Sequence, residues 1–226
     1  MGPFCLILFG PPGSGKGTQA KLLQESLQLA HISTGDMLRE RSARGDALGR
    51  QLAALLSSGQ LVPDELVNPV VDERTRQPDC AGGFILDGYP RTVPQAGLLA
   101  ALLERRRIEP VVIHFTVDYN VIIARLADRQ TCPACGSVYG SASLPRVPGV
   151  CDKDGAKLTV RDDDREQVVR ERLKAYEKQT APVLDFFAQA GYACYEVAAD
   201  GAPRAIAKRI EGLIENSLFQ RRRQPV

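Results

Sequence analysis

A chain of 226 residues, 44% apolar and 25% charged, is long enough for one compact α/β core with excursions and too short for two full-sized independent domains. Its formal net charge of +2 exerts no general pull on nucleic acid or anionic membrane, so any anion chemistry must rest on local arginine placement. No stretch approaches the roughly 18 apolar residues of a membrane span, and no signal peptide is legible, so a cytoplasmic enzyme is the expectation.

In chain order, Phe4 to Phe9 is apolar without helical spacing and stops at Gly10-Pro-Pro-Gly-Ser-Gly. That pattern predicts a buried parallel strand feeding a glycine loop. Gln19 to Leu27 reads as helix, and Asp36 to Arg76, after Ile32-Ser-Thr-Gly, as a helical insertion. Apolar peaks at Gly83 to Asp87, Val111 to Val117 and Tyr192 to Val197 alternate with helix-compatible sequence, which predicts a parallel sheet covered on both faces. Between them, Thr131 to Thr159 is rich in proline and glycine and looks like an inserted small module. Val169, Leu173, Tyr176, Thr180, Val183, Leu184 and Phe187 form the stripe of an amphipathic helix, with Asp164 and Gln167 as a capping box at its start. Disorder is expected only in the tail Gln220 to Val226.

The chemistry begins at Gly10-Pro-Pro-Gly-Ser-Gly-Lys16, which has the composition of a phosphate-cradling loop. Its glycines let backbone N–H groups face phosphate oxygens, the following helix N-terminus adds positive potential, and Lys16 reaches the β/γ oxygens. The generic loop has Ser or Thr directly after the lysine to hold Mg²⁺, whereas here Gly17 precedes Thr18. GTPases and motor-type ATPases fit less well, and Mg²⁺ is expected to be held mainly by nucleotide phosphates and water. Asp87, at the end of an apolar strand, is the carboxylate that could orient that water shell.

Gly10 to Gln19, Ser33-Thr-Gly-Asp-Met-Leu-Arg39, Asp87-Gly-Tyr-Pro-Arg91 with Gln95, and Arg161-Asp-Asp-Asp164 together resemble the signatures of the adenylate kinases, in family order across nearly the whole chain. The resemblance implies a P-loop NTPase-like three-layer α/β fold with a five-stranded parallel sheet. It divides the chain into a CORE of residues 1–33, 64–125 and 164–226, an AMP-binding insertion at 34–63, and a LID at 126–163. It implies ATP, AMP and ADP as partners, no nucleic acid or membrane, and a monomer. On the ATP side it carries over Gly10, Gly13, Ser14, Gly15, Lys16, Gly17, Thr18, Arg125 and Tyr139. Thr34, Arg39, Gly88, Arg91, Gln95, Arg161 and Arg172 resemble the family's AMP-side residues.

Lys16, Asp87, Arg91, Arg125, Arg129, Arg161 and Arg172 are the expected catalytic set. Guanidinium forks pair bidentately with phosphate and stay charged, and one well-placed arginine can contribute roughly 10³ to 10⁵ in phosphoryl-transfer rate. Relatives of the long form carry a histidine after the LID tyrosine, where this chain has Gly140, which leaves Arg125 to hold the donor base.

In the LID, Cys132-x2-Cys135 and Cys151-x2-Asp154, with 15 residues between the pairs, have the ligand count and spacing of a structural Zn²⁺ site. Cys5, Cys80 and Cys194 are isolated and read as small core residues. Rival readings are a GTP:AMP or UMP/CMP kinase on the same fold and, from another class, a P-loop nucleic-acid-binding protein with a zinc ribbon. The last predicts a basic, aromatic-decorated module, whereas residues 132–160 are nearly neutral with a single aromatic, Tyr139.

Overall fold

The structure, a computed structural model, describes residues 2–141 and 143–221. The tail expectation therefore falls largely outside the described residues, with Gln220 and Arg221 inside the last helix. The sheet order is β2 (Ala30–Ser33), β3 (Gly83–Asp87), β1 (Phe4–Phe9), β4 (Glu109–Thr116), β7 (Ala193–Ala198), all parallel. The five strands match the expected P-loop architecture. β1 lies in the middle because every residue in it is apolar and buried, so both faces can be covered.

Alternation along β1 divides the interior in two. Cys5, Ile7 and Phe9 join one cluster with residues from α3 (Ala47–Ser58), α4 (Asp64–Thr75), α5 (Val93–Arg106) and α8 (Pro182–Gln189). Phe4, Leu6 and Leu8 join the other, covered by α1 (Lys16–Leu27) and α9 (Pro203–Arg221). The insertion opens with α2 (Thr34–Ser42), whose start is capped by Ser33 accepting from the Asp36 N–H at 3.2 Å. α6 (Tyr119–Ala127) leads into the proline- and glycine-rich stretch, and α7 (Glu166–Ala175) follows it, the two packed through Ile122, Leu126, Val169 and Leu173.

The LID has its own small antiparallel pair, β5 (Gln130–Thr131) and β6 (Val138–Tyr139), and a minor core of Cys132, Tyr139, Cys151 and Leu158. Among the described residues no helix is long and apolar enough to cross a membrane.

Three local expectations are corrected. Cys5 and Cys80 are buried as expected, but Cys194 is exposed on the edge strand β7 and is not a core residue. Asp164 does not cap α7, whose N-cap is Arg165 without a side-chain cap. Its carboxylate is fully buried and taken by the guanidiniums of Arg129 and Arg172, stronger donors than a helix N–H. The single amphipathic helix is instead α7, a π turn over Tyr176–Thr180, and α8. The Ala181 N–H reaches the Tyr176 carbonyl five residues back at 2.8 Å, and Pro182 follows with no N–H to continue the ladder.

Candidate active site

The carboxyl ends of the parallel strands converge, with Leu8 of β1, Asp87 of β3 and Ser33 of β2 in register, where open α/β sheets bind ligands. The glycine loop turns there into α1. Gly15, the N-cap, has φ 94°, left-handed backbone that glycine adopts without strain, and no side chain covers the first N–H groups of α1. An anion can occupy that end. Lys16 folds back over the loop, donating to the carbonyls of Gly10 and Pro11 at 2.7 and 2.8 Å. Burial lowers its pKa to about 7 despite Asp87, with Arg91, Arg172 and Arg129 adding like-charge repulsion.

Asp87 ends β3 with its carboxylate 3.5 Å from His31 Nε2. Burial opposes its ionisation, but His31 and the Lys16 charge outweigh that and hold the carboxyl below its usual range. A Cβ at Gly17 would lie 3.2 Å from Asp87 Oδ2, so the glycine after the lysine leaves room beside this carboxylate where the generic loop has a hydroxyl residue. Gly88, at φ 82°, lets the chain turn tightly, and a Cβ there would come within 3.0 Å of both Thr34 Oγ1 and Arg91 Nη2.

A cavity of about 830 Å³ opens over these strand ends. Gly10, Gly13, Ser14, Gly15, Lys16, Gly17, Thr18, Arg39, Asp87, Gly88, Arg91, Arg125, Arg129, Tyr139, Arg161 and Arg172 all line it. Thr34 and Gln95 line a smaller recess that shares Arg39, Gly88, Arg91 and Arg172 with it. The fold thus gathers the expected nucleotide-side residues around one cavity and a recess that shares part of its wall.

Within it the cations are already aimed. Arg91 donates from Nε to the Gly88 carbonyl at 2.8 Å, and burial together with Arg172 lowers its pKa to about 10. Arg129 forks onto Asp164, with Nε 2.7 Å from Oδ2. Arg172 meets Asp163 Oδ2 at 2.9 Å. Arg39 pairs with Asp36 at 2.6 Å and lies 3.8 Å from Asp163. Arg161, its pKa lowered to about 10 chiefly by burial, holds Thr131 Oγ1 at 3.0 Å and lies 3.8 Å from Asp36.

Gln95 accepts from the Arg91 N–H and donates to Asp64, both at 2.7 Å, which leaves its amide one N–H and one lone pair for a ligand. Thr34 donates to the Gly88 carbonyl at 2.9 Å.

Sequence reasoning missed part of the wall. Ala199, Gly201 and Ala202, between β7 and α9, line the cavity with Pro203 and Arg204 at the start of α9, and Arg125 donates to the Ala199 carbonyl at 2.5 Å. Lys21 of α1 donates to the Gly136 carbonyl, 115 residues away in the cysteine-bearing stretch. None of these carries a motif, because they contribute backbone or a single side chain. Tyr139 reaches the cavity with most of its ring in the LID core, and its hydroxyl accepts from the Asp152 N–H at 2.8 Å and lies 3.4 Å from Cys151 Sγ.

In the LID, one ligand atom from each of Cys132, Cys135, Cys151 and Asp154 lies within 4.8 Å of the others. Cys135 and Cys151 sulfurs are 3.5 Å apart, and Cys132 Sγ is 3.3 Å from Asp154 Oδ2. Ligands about 2.3 Å from a tetrahedral ion stand about 3.7 Å apart, so the set fits Zn²⁺. Two matching turns present it: Gly136 N–H to Cys132 carbonyl at 2.9 Å, and Gly155 N–H to Cys151 carbonyl at 3.0 Å.

A glycine loop with its lysine, a strand-end carboxylate and an arginine ring around one cleft define a P-loop phosphotransferase. The sequence profile of the adenylate kinases matches residues 8–192. An adenylate kinase of Fervidobacterium nodosum is 47% identical over 184 residues, 80% of this chain and 84% of its own. Those of Chloroherpeton thalassium, 44% identical over 94% and 98% of the two chains, and Archaeoglobus fulgidus, 43% identical over 93% and 97%, are similar at nearly full length. The chain belongs to the adenylate kinase family. It is a nucleoside monophosphate kinase, and the family implies ATP, AMP and ADP as its substrates, with Mg²⁺.

Proposed function

We propose that the cleft divides its labour as follows in the reversible reaction ATP + AMP = 2 ADP. The glycine loop, Gly10 to Thr18, cradles the donor phosphates through its N–H groups, and Lys16 exchanges the Gly10 and Pro11 carbonyls for phosphate oxygens. Asp87 and the space beside Gly17 would hold the water shell of a nucleotide-bound Mg²⁺, which would supply positive charge to offset that of the phosphates. Arg125, Tyr139 and Gly140 of the LID side frame the donor base. Arg39 and Arg91 hold the acceptor α-phosphate, and Thr34, Gly88 and Gln95 contact its base and sugar side. Arg129, Arg161 and Arg172 surround the group in flight, where negative charge spreads over its equatorial oxygens.

The domain division into CORE, an insertion at 34–63 and a LID at 126–163 accompanies this reading. The LID reaches α1 through Lys21 and Gly136 and approaches the insertion through Arg161 and Asp36, contacts that suit a cover excluding water from the transfer. Zn²⁺ on Cys132, Cys135, Cys151 and Asp154 has a structural role, because four protein ligands leave no open position for substrate.

The observation that carries the reading is the convergence of Lys16, Arg39, Arg91, Arg125, Arg129, Arg161 and Arg172 on one cleft. A panel of donor and acceptor nucleotides tests it. AMP is the expected acceptor, because the family implies it and the one N–H and one lone pair left on Gln95 suit the adenine edge. Equal kcat/KM for CMP or UMP would refute that assignment.

A further inference from the structure

Thr180 has no place in the site described above, yet it is buried at 6% exposure and lines the same cavity. Its hydroxyl donates at 2.9 Å to the backbone carbonyl of Arg91, 89 residues away. We propose that Thr180 is a positioning residue for the acceptor phosphate, holding the Arg91 carbonyl so that the guanidinium points into the cleft. The inference rests on the reading of Arg91 as an acceptor-phosphate ligand.

The π turn is what delivers it. Arg172 and Thr180 are eight residues apart on one continuous helical segment. At about 100° per residue an unbroken α-helix would set them about 80° apart around the axis. A π turn absorbs one residue, which brings the pair to within about 20° of one another. Both then face the cleft: Arg172 among the transfer-site carboxylates, Thr180 against Arg91.

Arg91 is thereby fixed at three points from three directions. Its N–H is held by Gln95 of α5, its Nε by the Gly88 carbonyl, and its own carbonyl by Thr180. Its terminal Nη atoms make no hydrogen bond or ion pair among the described residues, so the fork faces the cavity open. A guanidinium aimed in advance loses less freedom when it takes up phosphate.

The test is steady-state kinetics with each substrate varied, on Thr180→Val, Thr180→Ser, Arg91→Ala and the double variant Thr180→Val/Arg91→Ala. Valine keeps the shape and removes the donor. Thr180→Val is expected to lower kcat/KM for AMP about tenfold, the loss of roughly one hydrogen bond, with KM for ATP within about twofold of wild type. Thr180→Ser is expected to restore most of it, and the double variant to be no worse than Arg91→Ala. Unchanged kcat/KM for AMP in Thr180→Val beside a crippled Arg91→Ala overturns the positioning role alone. So do equal losses for both substrates with a lowered melting temperature, or full additivity in the double variant. A near wild-type Arg91→Ala overturns the Arg91 assignment and this inference with it.

Discussion

Removing the carboxylate of Asp164 should loosen the neck of the LID and lower catalysis together. Asp164 stands just before Arg165, the N-cap of α7, and Arg129 shortly after α6, so their fork closes the excursion between two residues 35 apart in sequence. The aspartate side chain is fully buried, and its two arginine partners, Arg129 and Arg172, are only 17% and 18% exposed. Taking one partner from a buried ion pair costs about 3–5 kcal/mol, because the remaining charge is stranded. Here Arg129 and Arg172 can reach cavity water, and Arg172 keeps Asp163 at 2.9 Å, so about 2–4 kcal/mol is the better figure. At about 2–4 °C per kcal/mol for a chain of this size, Asp164→Ala should melt about 5–15 °C lower. Because Arg129 and Arg172 also lose their aim, kcat should fall by at least about tenfold. Calorimetric melting with saturating-substrate kinetics measures both, and Asp164→Asn, which keeps the shape without the charge, should lie between. A drop under about 2 °C with unchanged kcat would refute the reasoning, since the clip would then hold neither the neck nor the arginines.

The Lys16 ammonium is lowered to about 7 by burial, so at pH 8 it is mostly neutral before nucleotide binds. Phosphate oxygens raise it again, and titration calorimetry at pH 8 in buffers of different ionisation enthalpy should show up to about one proton taken up per ATP, whereas buffer-independent heats would contradict it. Elemental analysis of protein purified without added metal should find about one Zn²⁺ per chain on Cys132, Cys135, Cys151 and Asp154, with Cys151→Ser melting lower while low-temperature activity is less affected. Less than about a tenth of an equivalent of transition metal, or an unshifted melt, would sink the site.

The parts of the molecule legible in the sequence are those whose chemistry demands particular residue types at fixed spacing: the glycine loop, the Asp87 to Arg91 turn, the arginines and the LID cysteines. Strand β2 went unread from pattern alone, because Ala30–Ser33 is four residues long and half polar, and only the family resemblance called for a fifth strand. The stripe from Val169 to Phe187 read as a straight helix because steps of three and four are equally consistent with a π turn between Tyr176 and Thr180. Asp164 looked like a cap because Asp before a helix usually is one, and nothing local announces guanidiniums arriving from Arg129 and Arg172. The wall from Ala199 to Arg204 is silent for a different reason: backbone can line a cavity in almost any sequence.

What the assembled site adds to its residues is a balance of like charges. Burial first, and then Arg91, Arg172 and Arg129, oppose the protonation of Lys16, so three guanidiniums and a lysine that regains its charge as phosphate arrives converge on one region of the cleft. Their repulsion is contained by carboxylates set just behind them: Asp87 near Lys16, Asp163 on Arg172, Asp164 on Arg129. Folding thus spends buried aspartates to keep cations where no substrate yet offsets them. In the proposed reaction ATP with AMP and two ADP carry the same number of phosphates, so cations fixed at the two ends of the cleft would favour neither direction. Cations grouped about the middle favour the moment when the phosphoryl group lies between donor and acceptor, because only then does its charge meet all of them at once. Repulsion among the guanidiniums of the empty site is relieved most in that state, which makes the crowding of Arg91, Arg129 and Arg172 about Lys16 a source of rate rather than of affinity for either pair of nucleotides.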